Sequence, residues 1–167
     1  HRWDGDHLFL RQTFESLGGI IYASTDMLRF SPSASQAAQA RFLRAFAMFS
    51  MLDGWNQVVF REPGSNILDA PQVFTGTDAL VFIISEVNAI MNDLPDGPAS
   101  TANKDAAKVF LMKCYLNKGS IVNRQSPSFD NADMAQVIAL ADQIITGGKY
   151  SLSEDYFDNF APTNDVK

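Results

Sequence analysis

At 167 residues, with 46% apolar and 19% charged side chains, the chain is long enough to bury a core and too apolar to be a disordered tail. Thirteen Lys and Arg against nineteen Asp and Glu give a net charge of -6, and no basic run of five or more occurs. A nucleic-acid partner, which needs clustered cations to displace phosphate counterions, is therefore excluded, and the light charge points to a large protein's interior or to partners.

Helical periodicity dominates from the start. Asp6 is a fair N-cap for a helix over 6–17 that puts Leu10, Phe14 and Leu17 on one face. Gly18-Gly19 predicts an interruption, with the helix resuming after a kink or short loop over 20–30. The Ser-rich stretch 31–36 opens a second helix from about Ser35 to Leu52, stopped by Asp53-Gly54. Between Ala40 and Leu52 that helix carries ten apolar residues and only two charges, Arg41 and Arg44, three apart on one face.

Val58-Val59-Phe60 reads as a short extended piece without a partner strand, and 61–77, with two prolines and two glycines, reads as loop. Thr77 or Asp78 then caps a third helix with Leu80, Ile83, Ile84, Val87, Ile90 and Met91 as its stripe, ended by Pro95, Gly97 and Pro98. Thr101 or Asn103 caps a fourth helix, with Ala107, Leu111 and Tyr115 on one face and Gly119 as its stop. After a polar insert, a fifth helix carries Val137, Leu140, Ala141 and Ile144 on one face and ends at Gly147-Gly148. The remainder is irregular and rich in aromatics.

Helix, turn, helix, repeated, predicts an all-α fold of antiparallel hairpins. Leu111, Tyr115 and Gly119, then Val137, Ala141 and Ile144, fit the two helices of a tetratricopeptide-like hairpin, although the insert between them is about ten residues too long for a standard repeat.

Chemistry-bearing patterns are few. His1 and His7 lack zinc-peptidase spacing, no nucleophile elbow occurs, and Gly18-Gly19 is not followed by the Lys-Ser/Thr of a phosphate loop. No catalytic residue, metal site or cofactor is assigned, and a glycoside hydrolase would need an acid pair that no motif supplies. Cys114, the only cysteine, reads as a buried small hydrophobe. Asp4 and Asp6 read either as a solvated helix start, favoured by the N-terminal dipole, or as polar ligand groups; the stretch lacks the other ligands of a calcium loop. Trp55 reads as packed under the Asp53-Gly54 turn. Trp3, polar on both sides, reads either as an exposed indole suited to stacking on a sugar or as a ring packed on another part of a helix bundle. Arg41 and Arg44 need partners, and carboxylates such as Glu86 or Asp53 are the structural candidates.

Four ordered stretches share one likeness. The stretch 40–49 (ARFLRAFAMF) resembles the signature helix of the SusD/RagB family of outer-membrane nutrient-binding lipoproteins of Bacteroidetes. Residues 82–95, ending in Leu-Pro, the Ala-Ala-Lys helix over 103–119 and the Gly-Lys-Tyr-Ser-Leu stretch within 139–160 are similar to further family motifs in the same order. Two departures stand out: the family's glutamate before the arginines is Gln39, and its Gly-Asp-Val-Pro after the helix is replaced by 54–60.

The resemblance implies tetratricopeptide-like helical hairpins stacked in a right-handed array with long loops, residues 1–167 being one such domain and an internal fragment of a longer protein. It implies a non-catalytic protein at the cell outer-membrane surface, held by a lipid anchor absent from this stretch, that binds a polysaccharide or oligosaccharide and delivers it to a TonB-dependent, SusC-like transporter. Arg41, Arg44, Ala107 and Tyr150 fall on the family signature. Trp3, with Asp4 and Asp6, is the glycan-binding candidate by kind of residue and position. The alternative is a tetratricopeptide-type scaffold for protein interactions.

Overall fold

The first helix shows how packing overrides a local signal. In a computed structural model, which describes Asp4, residues 7–98 and residues 100–162, α1 runs unbroken over Leu8–Met27. Each mid-helix glycine costs about 1 kcal/mol relative to alanine. That cost is outweighed by the face of α1 that packs on the next helix, so the expected break at Gly18-Gly19 does not occur. His7 holds the N-cap position, and Asp6 lies outside the described residues.

A 3-10 turn over Leu28–Phe30 leads to α2, Ala34–Trp55. Its start is a capping box: Ser33 Oγ accepts from the Gln36 amide, while Gln36 Oε1 accepts from the Ser33 amide at 3.0 Å. The helix continues through Asp53-Gly54 and ends only at Asn56, whose left-handed backbone (φ 57°) swings the chain into β1, Gln57–Phe60. This strand has a partner after all. It pairs antiparallel with β2, Gln72–Thr75, in the register Val58 opposite Phe74 and Phe60 opposite Gln72. The connection 61–71 is eleven residues long and its Pro63-Gly64 turn, closed by the Ser65 amide on the Glu62 carbonyl at 3.1 Å, does not join the strands directly, which is why the hairpin is hidden in the sequence.

Three further helices follow: α3 over Gly76–Ile90, α4 over Lys104–Val122 and α5 over Asn131–Thr146, then a 3-10 turn over Tyr156–Phe160. The N-cap position of α3 is Thr75, two residues before the expected one. Asn103 caps α4 as expected; its Oδ1 accepts from the Ala106 amide at 2.8 Å while its Nδ2 donates to the carbonyls of Gly97 and Pro98. Gly119 does not stop α4. It stays buried because the Ser128 carbonyl crosses so close that a Cβ there would lie 2.2 Å from that oxygen.

Consecutive helices pack as neighbours, so the chain is all-α with one small hairpin attached. The core centres on α2, which meets α1, α3, α4 and β1; Met48, Met51 and Leu52 are fully buried against Leu80, Ile83 and Val87 of α3 and Leu111 and Cys114 of α4. Each such side chain contributes roughly 1.5–3 kcal/mol. Phe42 and Phe49 meet the Phe110 ring edge-on at 5.8 and 5.6 Å. The apolar character of α2 is thus explained on most sides, though Leu43 and Phe46 remain half exposed. Burial pushes the Cys114 thiol up to about 12, as befits a packing residue.

Candidate functional site

Arg41 and Arg44 project from α2 toward α3 and converge on one carboxylate. Arg41 donates through Nε and Nη2 to the two oxygens of Glu86, at 3.1 and 2.7 Å, and Arg44 Nη2 donates to Glu86 Oε2. The bidentate geometry matches a planar guanidinium to a planar carboxylate. Burial by itself would raise the pKa of Glu86, but the hydrogen bonds and charges of the two arginines outweigh it and hold the carboxyl below its ordinary value of 4.5. Glu86 is therefore the partner, and Asp53 is not: its carbonyl instead accepts from Arg124 at 3.0 Å. Gln39 turns back onto its own helix and donates to Ser35.

Arg44, 4% exposed, does more than pair with Glu86. Its guanidinium lies 5.0 Å over the Phe60 ring and its Nη1 donates to Thr25 Oγ1 of α1 at 3.3 Å, so one buried cation ties α2 to α1, α3 and β1. Both Phe60 and Thr25 also form part of the wall of a cavity of about 350 Å³. Phe14, Gly18, Ile21 and Tyr22 of α1 line it with Met51 of α2, and the connection after β1 closes one side with Gly64, Ser65 and Ile67. Polar residues also line it: Thr25 and Asp26 from α1, Arg29 from the 3-10 turn after it, and Arg61 and Glu62 from the hairpin connection. Asn66 organises that connection by accepting from Arg61 Nη1 at its carbonyl and from the Leu68 amide at its Oδ1.

Trp55, expected beneath the Asp53-Gly54 turn, lies in the last turn of α2 and meets the Phe14 ring edge-on at 5.3 Å. Trp3 and Asp6 lie outside the described residues. Asp4 is exposed, and its carbonyl accepts from the His7 amide at 3.1 Å.

The other signature residues separate. Ala107 is fully buried in α4, within the core cluster. Tyr150 is 44% exposed, and its neighbour Lys149 makes the connections: Nζ donates to the carbonyls of Asp96 and Gly97 at 3.0 and 3.1 Å and to Asp105 Oδ2 at 3.4 Å. Asp105 would be raised by desolvation, yet its bonds to Lys108 and Lys149 hold it below the usual carboxylate range. Lys149 was visible in the motif, but only its partners distant in sequence reveal that it ties the segment after α5 to the start of α4.

No family model matches the chain. Over 144 residues, 84% of this chain, it is 29% identical to the starch-binding protein SusD of Bacteroides thetaiotaomicron. Over 165 residues, 97% of this chain, it is 28% identical to a SusD-like protein of Bacteroides ovatus. Over most of its length the chain is thus similar to SusD and to a SusD-like protein. It spans 24% of the first relative and 30% of the second, so it corresponds to less than a third of either SusD-like protein. Within the stretch that is similar to both relatives, Arg41 and Arg44 act structurally, as a clamp joining α2 to α3 through Glu86 and to α1 through Thr25. Among the described residues no helix is long and apolar enough to cross a membrane, and no group of three or more metal-ligating side chains occurs.

The cavity has no complete signature in any single segment: its walls come from α1, whose glycines predict a break, and from the hairpin, whose second strand lies in a stretch with the composition of a loop. The one signal present was Gly18 itself, a glycine in a strongly periodic helix.

Proposed function

We propose that this SusD-like chain is the helical part of a non-catalytic, lipid-anchored glycan-binding protein of the bacterial outer-membrane surface, which delivers oligosaccharides to a TonB-dependent transporter. The observation that carries this reading is the match to a starch-binding protein across 84% of the chain. The polysaccharide contact is assigned to Trp3, whose indole face stacks on sugar C–H groups, and to Asp4 and Asp6, whose carboxylates accept from hydroxyls. Each such contact is worth about 1 kcal/mol, so affinity grows with glycan length and with the number of rings engaged.

Affinity electrophoresis of the chain, and of any longer polypeptide that carries it, through gels containing starch or other polysaccharides tests this. Retardation without release of reducing ends is expected, weakened by Trp3→Ala. Release of reducing ends overturns the non-catalytic reading. Binding to a peptide panel with no binding to any glycan replaces it with the protein-interaction scaffold.

A further inference from the structure

The α1–α2–β1 cavity has a composition suited to a small polyhydroxylated ligand. Its volume of about 350 Å³ lies at the lower end of small-molecule sites, roughly 300–1,000 Å³, enough for about one or two sugar rings. Its walls combine the rings of Phe14, Tyr22 and Phe60 with groups that have hydrogen-bonding capacity left over. Asp26 uses Oδ1 on Arg29, leaving Oδ2. Arg61 uses Nη1 on the Asn66 carbonyl, leaving Nε and Nη2.

Thr25 supplies the deciding detail. It is 8% exposed, and its oxygen already accepts from Arg44, a cation that cannot give up its proton. The hydroxyl hydrogen is thereby directed away from Arg44, and among the described residues it donates to no acceptor. A buried hydroxyl on a wall residue thus has a donor left over, which is costly to leave unmatched.

Gly18 adds an independent steric argument. A Cβ at that position would meet nothing within 4 Å, so the wall is open there, and a longer side chain would extend from the cavity wall that Gly18 lines.

We propose that the cavity between α1, α2 and the hairpin is a saccharide subsite holding one or two sugar rings, with aromatic faces against the C–H groups and Thr25, Asp26, Arg61 and Glu62 as hydroxyl partners. This rests on the glycan-binding reading but names a place separate from Trp3. A peptide side chain would use the apolar floor and leave the Thr25 donor and the carboxylates unmatched; a sugar uses both.

The test is an NMR titration of the 167-residue chain with gluco-, galacto-, manno- and xylo-oligosaccharides of two to six rings, following the Gly18 amide and the Met51 methyl. Saturable shifts at both are expected with at least one series. Gly18→Leu, which projects a side chain from the cavity wall, is expected to weaken that binding at least tenfold while the thermal midpoint stays level or rises. Should that variant fail to fold, Glu62→Ala, at an exposed loop position, is expected to weaken binding severalfold. A saccharide that binds with shifts confined away from Gly18 and Met51, and equally well to the variants, overturns the subsite and leaves the glycan-binding reading standing. No binding by any series overturns the glycan-binding reading and the subsite together, and shifts produced at Gly18 and Met51 by peptides alone overturn the saccharide assignment.

Discussion

The α1–α4 unit and the part of the chain that follows it are built by different means. In the first, α2 is enclosed by three helices and a strand, and Arg41, Arg44 and Glu86 fasten the layers together. In the second, α5 lays a stripe of Val137, Leu140, Ala141 and Ile144 on α4, all only half-buried, and its one largely buried residue is Asp133, paired with Lys118 at 2.8 Å. Ile138, Ile145, Leu152, Tyr156 and Phe157 remain exposed. One region is over-determined by packing, and the other is held at a few points. Opening free energies should therefore grade from the global value in α2 and α3 to a much smaller value after α5.

The sharpest way to break this contrast is to remove the clamp. Glu86→Ala leaves Arg44 buried without its counter-charge, and a loss of about 3–5 kcal/mol in urea unfolding is expected for the whole α1–α4 unit. The same cluster sets a pH dependence. Because Glu86 is held below 4.5 in the folded chain, the unfolded chain binds the extra proton first as pH falls. Its contribution is complete above about pH 4.5 and declines as pH drops toward the lower folded value. Glu86→Gln should remove that component of the acid slope; an unchanged slope between wild type and variant would show that Glu86 is not the titrating group.

A smaller effect is expected where the two regions join. Gly119→Ala places a methyl against the Ser128 backbone, which cannot rotate away as a side chain would, so the 123–130 connection must shift. A loss of about 1–3 kcal/mol is expected, with amide exchange accelerated in α5 more than in α3. Equal acceleration in both would mean that the chain unfolds as one unit, against the contrast drawn above.

The same division governs how much could be read from the sequence. Apolar stripes make α3, α4 and α5 legible, and the need to neutralise two arginines on an apolar helix points to a carboxylate such as Glu86 or Asp53, of which the fold selects Glu86. Local signals failed where tertiary contact outweighed them. Gly18-Gly19 stays helical because α1 lies on α2, Asp53-Gly54 stays helical until Asn56 adopts the left-handed conformation, and Gly119 serves close backbone approach rather than termination. The β1–β2 pair was hidden because 61–71 separates the strands. Phe74, stacked on Phe82 at 4.7 Å, takes its meaning from α3 rather than from its neighbours in sequence. The cavity depends on both missed features, so no reading of single segments could assemble it.

The smallest expected effect falls on Lys149, the point at which the segment after α5 is tied back. Its ammonium reaches two carbonyls between α3 and α4 as well as Asp105, yet the side chain is 39% exposed, so screening limits its worth to under about 1 kcal/mol. Lys149→Met keeps the unbranched stem and removes the three donors, which separates lost hydrogen bonding from lost packing. Global unfolding should barely move, whereas limited proteolysis at 150–160 and amide exchange there should rise severalfold. If cleavage stays at the wild-type rate, the segment is held by its aromatic contacts, such as Tyr156 with Phe160 at 5.2 Å, and the lysine is incidental. If α5 opens as well, the tether supports the helix before it, and the boundary between the two regions moves back to Gly119.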